Sequence, residues 1–478
     1  GVQEADIVTI VDSLTKYAVM INEPNEVLYH LEKAVYLALN GRSGPVWLDI
    51  PLDVQGAFVD ESDLNHFVPE TKNIETIKGI DNFLKIYKNS KRPIILAGNG
   101  VRLSGSIDKL REFSKNNNIP CVVSYLAIDY FEQDNANYVG RLGIKGDRAG
   151  NFAVQNSDLI ICLGSRLSVC LTGFEYDLFA RSSKLVVVDI DEKEHKKNTV
   201  SIDHFINSDV GKFLEEIQHK VEKKQLGDWQ KKCINWKNKW PVYQKGYDLN
   251  SVNMYEFIKA LSELSREDSI VISDAGSSYY VTAQSFTLKD IKQRHITSGA
   301  QADMGFTLPA AIGASVASNK TVIGITGDGS FQLNIQELQT VKHLNLPIKL
   351  FVWNNNGYSS IRATQDKFFE GRRIGTDKTS GVSFPEVEKI AYAYDLPYVK
   401  INNVSELRKK LSEIIDSKGP IICEVICPEN QEIIPAVSAV KNKDGSMTSK
   451  PIEDMYPYLE RNEFFREMIV QPLSEEKS

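Results

Sequence analysis

The chain has 478 residues, of which 42% are hydrophobic and 25% charged, a composition typical of a soluble globular protein with about two to four domains. Its formal net charge of -7 argues against a dedicated nucleic-acid binder, and no apolar run approaches the ~20 residues that cross a bilayer. Six scattered cysteines, several within apolar runs, predict reduced and buried thiols in a cytoplasmic protein.

The first block, residues 1–60, is short and holds few predicted elements. "EVLYHLEKAVYLALNG" predicts an amphipathic helix that ends at a C-capping Gly41, and "PVWLDI" predicts a strand stopped by Pro51. The apolar face of the helix is formed by Leu28, Leu31, Val35 and Leu37. We interpret this block as the C-terminal remnant of a domain.

The second block, residues 72–222, alternates apolar, β-rich runs with helical or glycine-rich stretches. The runs are "RPIILAGNGV", "PCVVSYLA", "SDLIICLGSRL" and "SKLVVVDID". Such alternation predicts a doubly wound parallel sheet. The next stretch, "KKQLGDWQKKCINWKNKWPVY", mixes basic residues with tryptophan, and we expect a solvated connector helix rather than a nucleic-acid contact.

The third block, residues 250–430, repeats this alternation. Its strand-like runs are "SIVISDAG", "TVIGITGDG", "PIKLFVWNN" and "PIICEVIC". The predicted fold class is therefore α/β, with two complete αβα domains built on doubly wound parallel sheets and the remnant of a third. Residues 431–478 form a polar tail, predicted to be a loop and short helices that lie across another surface.

One stretch of the third block, "GDGSFQLN", follows the strand "TVIGIT" and precedes a segment with helical spacing at Ile335, Leu338 and Val341. The next strand, "IKLFVW", runs into Asn354–Gly357. A strand, helix and strand of this size form a βαβ unit, in which the two strands are parallel. Asp328 and Asn355 are therefore expected at the same edge of one sheet, where open α/β sheets bind ligands.

The residue types at this edge suit an anion and a metal ion. Gly327 and Gly329 let the backbone approach closely, Ser330 adds a hydroxyl donor, and a helix N-terminus favours phosphate. A carboxylate, an amide oxygen and a backbone carbonyl near Gly357 are hard ligands of the kind that Mg²⁺ prefers. The pattern predicts a metal-bridged diphosphate, and the alternative is a tight turn with no ligand.

"GDGSFQLNIQELQTVKHLNLPIKLFVWNN" resembles the thiamine diphosphate motif, and the wider chain is similar to the acetolactate synthase family. "QEADIVTIVDSLTKYA" and "GRSGPVWLDIPLDVQ" resemble the end of the family's pyrimidine-binding domain. "LAGNGVRLSGS", "LGSRLSVCLTG" and "VVVDID" resemble its central domain. "SDAGSSYYVTAQSF" and "SGAQADMGFTLPAAIGA" resemble parts of its diphosphate-binding domain.

The resemblance implies roles for particular residues. Asp328 and Asn355 would give side-chain ligands to Mg²⁺, and Gly357 a carbonyl ligand. The implied cofactor contacts are Gly276, Ser277, Ser278, Gly327, Gly329, Ser330 and Tyr358. Met304 would support the bent conformation of the cofactor, the alternative being ordinary core packing. Gln3 and Lys16 would line the substrate side of the pocket, the alternative being solvated loop residues.

The implied reaction is decarboxylation of a 2-oxo acid, expected to be pyruvate, followed by carboligation to a second carbonyl compound or release of an aldehyde. The family places its cofactor between two subunits, so a homodimer or homotetramer is implied. We expect no nucleic-acid or membrane partner.

The chain also departs from the family. The glutamate that activates the cofactor in the family has no counterpart in residues 1–60, so we expect a truncated chain that is poorly active alone. Arg166, Gly98 and Gly100 match the family's FAD site. Ser168, Val169, Cys170 and Lys145 do not match it, so the resemblance leaves FAD open.

The acceptor side of the pocket differs as well, because Thr364 stands in place of a tryptophan and Ser277–Ser278 in place of a Gln-His pair. Two other classes of function stay open on the sequence alone. One is a nicotinamide-dependent oxidoreductase, for which "AGNGVRLSG" is only a partial dinucleotide fingerprint. The other is a non-catalytic nucleotide-binding protein that keeps the sheet scaffolds.

Overall fold

A computed structural model describes residues 5–69, 76–243, 250–318, 320–441, 444 and 446–473. The chain divides into two compact units, the first within residues 1–78 and 190–196 and the second within residues 79–189 and 197–478. Among the described residues, none of the helices combines the length and the hydropathy of a transmembrane span. All six cysteines are free thiols and five of them are buried, Cys170 being partly exposed.

The first unit contains the helix and the strand that the sequence predicts. Its elements are α1 (Ile7–Val11), β1 (Ala18–Met20), α2 (Val27–Leu39), β2 (Trp47–Asp49) and α3 (Leu52–Gly56). Strands β1 and β2 pair in parallel, and Gly41 has the positive φ of +67° expected just past the end of α2. The predicted apolar face is wrong in part, because Leu31 and Val35 are 43% and 58% exposed while Ala34 is the buried residue of this helix.

The second unit begins with an all-parallel sheet, as the sequence predicts, but it has six strands, two more than the four apolar runs of this block. Its strands are β3 (Pro93–Ala97), β4 (Cys121–Val123), β5 (Tyr138–Arg141), β6 (Leu159–Leu163), β7 (Lys184–Asp189) and β8 (His204–Asn207). Their order is β5-β4-β3-β6-β7-β8. Strands β4 and β5 are added on one side of β3 and strands β6 to β8 on the other, so the strand order switches at β3 and β6. The helices are α4 (Ile80–Asn89), α5 (Gly100–Leu103), α6 (Ile107–Asn117), α7 (Arg148–Asn156), α8 (Val169–Thr172) and α9 (Val210–Ile217).

The connector forms a helix, α10 (Gly227–Lys239), but the expectation that it is solvated is wrong for one face. Trp229, Cys233 and Trp236 recur at helical spacing and are buried. The indole of Trp229 donates to the carbonyl of Pro93 at 2.9 Å, at the start of β3. The tryptophans therefore pack against the first sheet, and the lysines occupy the remaining faces.

A second six-stranded, all-parallel sheet follows in the order β10-β9-β11-β12-β14-β13. Its strands are β9 (Ile270–Ser273), β10 (Arg294–Thr297), β11 (Val322–Gly327), β12 (Ile348–Asn354), β13 (Tyr398–Ile401) and β14 (Ile421–Ile426). Its helices are α11 (Met254–Leu264), α12 (Gly276–Ser285), α13 (Thr307–Ser318), α14 (Asp328–Phe331), α15 (Leu338–His343), α16 (Ser359–Phe368), α17 (Val387–Ala393) and α18 (Val404–Asp416).

The segment after β11 differs from the single helix that its spacing suggests. A single turn, α14, is followed by a 3₁₀ segment over Gln332–Glu337 and then by α15. Asn334 breaks the helix with φ of -134°, and its amide donates to the carbonyl of Gly305 at 2.9 Å. The crossover still buries Leu338 and Val341 against the sheet, so the parallel βαβ topology holds.

The tail folds back on the first six-stranded sheet. It contains β15 (Ala436–Val437), β16 (Ala439–Lys441), β17 (Met447–Ser449), β18 (Met455–Tyr456) and α19 (Arg461–Glu467). The guanidinium of Arg148, on α7, donates to the carbonyls of Met455 and Pro457 at 3.0 and 2.6 Å. Asn151, one turn along the same helix, donates to the carbonyl of Ile452 at 2.7 Å.

Candidate functional site

Asp328 and Asn355 meet at the carboxyl edge of the second six-stranded sheet. Strands β11 and β12 pair in parallel with Gly327 opposite Trp353, so the residues that follow each strand are neighbours. Oδ2 of Asp328 accepts hydrogen bonds from the backbone amides of Asn355 at 3.2 Å and Gly357 at 3.1 Å. The two chain segments converge where the βαβ topology predicts.

The Asp328 carboxylate is buried in an environment that disfavours its charge. Burial raises its pKa to about 6, while hydrogen bonds from the amides of Gly357, Gly329 and Asn355 and the charge of Arg362 act in the opposite direction. The carboxylate is therefore incompletely compensated by the protein's own groups. A cation at this point would remove that deficit.

The side-chain oxygen of Asn355 supports the same interpretation. Its Oδ1 is buried and has no hydrogen-bond partner among the described residues. A buried polar oxygen without a partner is rare and costs about 1–3 kcal/mol. Together with the carboxylate of Asp328, this oxygen makes a donor set that fits a divalent cation such as Mg²⁺.

Arg362 fixes the turn between β12 and α16 and was not found from the sequence. Its guanidinium donates to the carbonyls of Asn355 at 2.9 Å and Asn356 at 3.1 Å. An added Cβ at Gly357, which has φ of +142°, would lie 2.1 Å from the carbonyl oxygen of Thr376. The turn therefore requires glycine at position 357. In the sequence, the only sign of Arg362 is that it is a lone basic residue in the first turns of the helix that follows.

Gly327 and Gly329 have different surroundings. An added Cβ at Gly329 would lie 2.3 Å from the ring of Tyr358 and 3.0 Å from that of Phe384, so both rings pack on this backbone. An added Cβ at Gly327 would meet nothing within 4 Å. Gly329 is thus needed for internal packing, and the backbone at Gly327 is open to a ligand.

Asp274 joins the turns after β9 and β11, and the sequence shows it only as one residue of the motif "SDAGSSYYVTAQSF". Its carboxylate is fully buried and accepts from the hydroxyls of Ser278 at 2.6 Å, Thr326 at 2.7 Å and Ser330 at 2.6 Å. Ser330 Oγ also accepts from the amide of Gly305 at 2.7 Å. The expected hydroxyl donor of Ser330 is therefore committed to Asp274. The amide of Gly329 donates to Oδ1 of Asp328 at 2.8 Å, so the other backbone amides of this turn are the remaining donors for an anion.

The turn after β9 contacts the helix that follows the turn after β12. The hydroxyls of Ser277 and Ser359 are 3.0 Å apart, and an added Cβ at Gly276 would lie 3.3 Å from the hydroxyl of Ser360. Gly276 has φ of +56°, which favours glycine. The turns after β9, β11 and β12 thus meet at one edge.

Met304 lies on the turn before α13 and is 38% exposed, so it is not a residue of the core. The next residue, Gly305, has φ of +80° and donates its amide to Ser330, which ties this turn to the one after β11. The alternative of ordinary core packing is therefore wrong for Met304. Its side chain is available to a ligand next to the turn after β11.

Lys16, one of the two residues expected on the substrate side, belongs to the first unit. The ammonium of Lys16 donates to the carbonyls of Asn40 at 2.7 Å and Arg42 at 2.9 Å, just past the end of α2. Gln3 lies outside the described residues.

Gly98 and Gly100, at the point where the first sheet reverses direction, pack against backbone. The amide of Gly98 donates to the carbonyl of Leu163, and that of Gly100 to the carbonyl of Gly164, both at 2.9 Å. An added Cβ at Gly98 would lie 2.3 Å from the carbonyl oxygen of Gly164. These glycines therefore offer no free amide to the phosphates of FAD or of a nicotinamide dinucleotide.

The segments around Lys145 and Cys170 are also joined directly. The amide of Ile144 donates to the carbonyl of Cys170 at 2.9 Å, and the ammonium of Lys145 to the carbonyl of Ile433 at 3.0 Å. Burial lowers the pKa of Lys145 to about 8.

A cavity of about 510 Å³ opens beside Asp328 at the edge of the second six-stranded sheet. Its walls come from the ends of β12, β13 and β14 and from residues 378–388. It is bordered by Asp328, Asn354, Asn356, Lys400 and Glu424 among others.

Comparison with known proteins gives two family matches. Residues 274–425 match "Thiamine pyrophosphate enzyme, C-terminal TPP binding domain", and residues 80–217 match "Thiamine pyrophosphate enzyme, central domain". The chain is 33% identical over 447 residues to the acetolactate synthase large subunit of Lactococcus lactis, covering 92% of this chain and 76% of that protein. It is 30% identical over 450 residues to acetolactate synthase 1, chloroplastic, of Oryza sativa, covering 91% and 69%.

Proposed function

The chain belongs to the thiamine pyrophosphate enzymes, and on that premise we propose an acetolactate synthase-like reaction. In this reaction a 2-oxo acid, pyruvate, loses CO₂, and the remaining fragment is joined to a second carbonyl compound or released as an aldehyde. The observation that carries the proposal is the hydrogen bond between the Asp328 carboxylate and the backbone amide of Asn355, whose buried Oδ1 has no partner among the described residues. Both residues lie inside the matched cofactor-binding region.

The proposal includes Mg²⁺ as the link between protein and diphosphate. Asp328 and Asn355 would hold the cation through their side-chain oxygens, and Gly357 through its carbonyl. Support comes from the buried carboxylate with a raised pKa and from the orphaned amide oxygen, since a hard divalent cation satisfies both.

Each group of residues has a distinct task. The turns at Gly276–Ser278 and Gly327–Ser330 would bind the diphosphate through backbone amides, with Tyr358 packed beneath Gly329. When bound, thiamine diphosphate supplies the nucleophilic carbon that attacks the 2-oxo carbonyl and the electron sink for the departing carboxylate. Met304 would support the bent cofactor, and Gln3 and Lys16 would line the substrate side.

We further propose a homodimer or homotetramer in the cytoplasm that acts on small molecules, with no nucleic-acid or membrane partner. Met304, Leu333 and Ile361, around the candidate site, are 38%, 52% and 49% exposed. A second subunit would cover these apolar side chains. Sedimentation measurements of the purified protein test the subunit number.

FAD is not part of the proposal, because the amides of Gly98 and Gly100 are donated to backbone carbonyls. A flavin absorption spectrum in the purified protein would show that FAD binds and would contradict this exclusion. The same contacts occupy two glycine amides of the partial dinucleotide fingerprint, which argues against a nicotinamide-dependent oxidoreductase.

Calorimetric titration tests the proposal without requiring turnover. We expect thiamine diphosphate to bind in Mg²⁺ and not in excess chelator, and NADH not to bind in either buffer. Release of CO₂ from pyruvate, measured in parallel, reports the reaction itself. Binding of NADH in place of thiamine diphosphate would contradict the proposal.

A further inference from the structure

Glu424 is a buried carboxylate in the middle of an apolar strand. It lies on β14, between β12 and β13, with Val352 and Lys400 as its register partners on the two sides. Residues two positions apart on a strand share a face, so Asn354 and Tyr398 lie on the same face as Glu424. Glu424 is 5% exposed.

Three side chains contact the two carboxylate oxygens of Glu424. Oε1 accepts from the amide Nδ2 of Asn354 at 2.7 Å. Oε2 accepts from the hydroxyl of Tyr398 at 2.5 Å and lies 3.3 Å from the ammonium of Lys400. The carboxylate therefore fixes which end of the Asn354 amide faces β14.

The other end of that amide controls the turn after β12. With Nδ2 held by Glu424, Oδ1 of Asn354 faces the backbone amide of Asn356 and accepts from it at 3.0 Å. Asn356 has φ of +56°, a left-handed conformation that needs such local support in a residue with a side chain. This turn carries the oxygen of Asn355 and the backbone of Gly357.

We propose that Glu424 is a positioning residue for the divalent-cation site and acts through Asn354 on the turn that bears Asn355 and Gly357. Arg362 holds the carbonyls of the same turn from the side of α16. The inference rests on the proposed Mg²⁺ site and adds a determinant of its affinity. Partners that orient metal ligands typically change metal affinity by about 10–100-fold when they are removed.

Substitution by glutamine tests the role because it changes the hydrogen-bonding pattern and keeps the shape. To keep its contacts with Tyr398 as donor and with the ammonium of Lys400, the glutamine must place its oxygen on their side, which presents the NH₂ group to Asn354. Two NH₂ groups cannot bond each other, so Asn354 would lose its orientation. We expect Glu424→Gln to bind Mn²⁺, with thiamine diphosphate present, about tenfold or more weakly than the unchanged protein.

A reciprocal exchange separates this contact from a general effect on stability. In the double variant Glu424→Gln with Asn354→Asp, the glutamine NH₂ donates to one oxygen of the new carboxylate, and the other oxygen accepts from Asn356. We expect the exchange to recover most of the lost affinity. Asn354→Asp alone sets two carboxylates against each other and is expected to bind the cation weakly.

The measurement is Mn²⁺ binding followed by its electron paramagnetic resonance signal, with the melting temperature of each variant recorded alongside. Glu388→Gln, an exposed glutamate that borders the same cavity, is the matched control and should bind like the unchanged protein. Should Glu424→Gln not fold, Asn354→Ala breaks the same link from a partly exposed position and is expected to weaken binding equally.

Unchanged affinity in Glu424→Gln or Asn354→Ala would overturn the inference, as would a folded double variant that recovers nothing. If the unchanged protein itself fails to bind Mn²⁺ with thiamine diphosphate, the proposed function fails as well. The two failures are therefore distinguishable.

Discussion

Oδ2 of Asp328 lies 3.2 Å from the backbone nitrogen of Asn355, across the adjacent ends of β11 and β12. This carboxylate thus holds the backbone of the turn that carries the side chain of Asn355. The side chains of Asp328 and Asn355 are both buried, and burial raises the pKa of Asp328. The protein's own groups therefore do not fully balance the negative charge of the carboxylate.

Replacing Asp328 by asparagine should remove most of the cation affinity. The change keeps the shape of the side chain and deletes the charge that attracts the metal ion. We expect Mg²⁺-dependent binding of thiamine diphosphate to weaken by at least about 100-fold, more than the loss of an outer partner causes. Calorimetry of this variant beside Ser318→Ala, which lies at the end of α13, provides the comparison. Equal affinity in the two variants would contradict the assignment.

The unfavourable contribution of Asp328 to the stability of the metal-free protein should diminish as the pH falls from 7.5 to 5. Burial raises the pKa of Asp328 to about 6 from an ordinary value of 3.8, so the folded state binds this proton more tightly than the unfolded chain does. The ionised carboxylate therefore destabilises the fold above pH 6, by up to about 3 kcal/mol, and protonation by pH 5 relieves about half of that cost.

Urea unfolding in chelator at both pH values measures this effect, and Asp328→Asn should lack this part of the pH dependence. Identical pH dependence in the variant and the unchanged protein would show that Asp328 does not carry the raised pKa.

Two glycine substitutions should separate folding from binding. In Gly329→Ala the added methyl would lie 2.3 Å from the ring of Tyr358, so we expect a loss of about 1–3 kcal/mol in the free energy of unfolding. In Gly327→Ala the methyl enters open space, so stability should change little while affinity for thiamine diphosphate falls. Chemical denaturation and calorimetry test both, and the reverse order of stabilities would be inconsistent with the packing described.

Asp274→Asn should loosen the junction between the turns after β9 and β11. An amide cannot accept from the hydroxyls of Ser278, Thr326 and Ser330 as a carboxylate does, so at least one buried donor loses its acceptor. We expect a loss of about 1–3 kcal/mol in stability and weaker diphosphate binding. Ser278→Ala removes a single donor and should cost less; a larger loss in Ser278→Ala would argue against Asp274 as the common acceptor.

The position of the site was predictable because parallel topology forces it. A strand, a crossover of about 20 residues and a second strand must end at one edge, whatever the crossover does in detail. The kink at Asn334 therefore left the prediction intact. The exposure of Leu31 and Val35 was not predictable, because spacing shows which residues share a face and not what covers that face.

The residues that support the site were harder to find in the sequence. Asp274, Arg362 and Glu424 are buried polar residues whose partners lie 52, 7 and 70 positions away, at distances that no local pattern reports. A glutamate inside the apolar run "IICEVIC" was a visible signal, because buried carboxylates need specific partners.

Anomalous diffraction from crystals grown with Mn²⁺ and thiamine diphosphate tests the central claim most directly. The account predicts one manganese peak at about 2.0–2.3 Å from both a carboxylate oxygen of Asp328 and Oδ1 of Asn355. A peak bound by other residues, or diphosphate density with no metal between it and these two side chains, would contradict it.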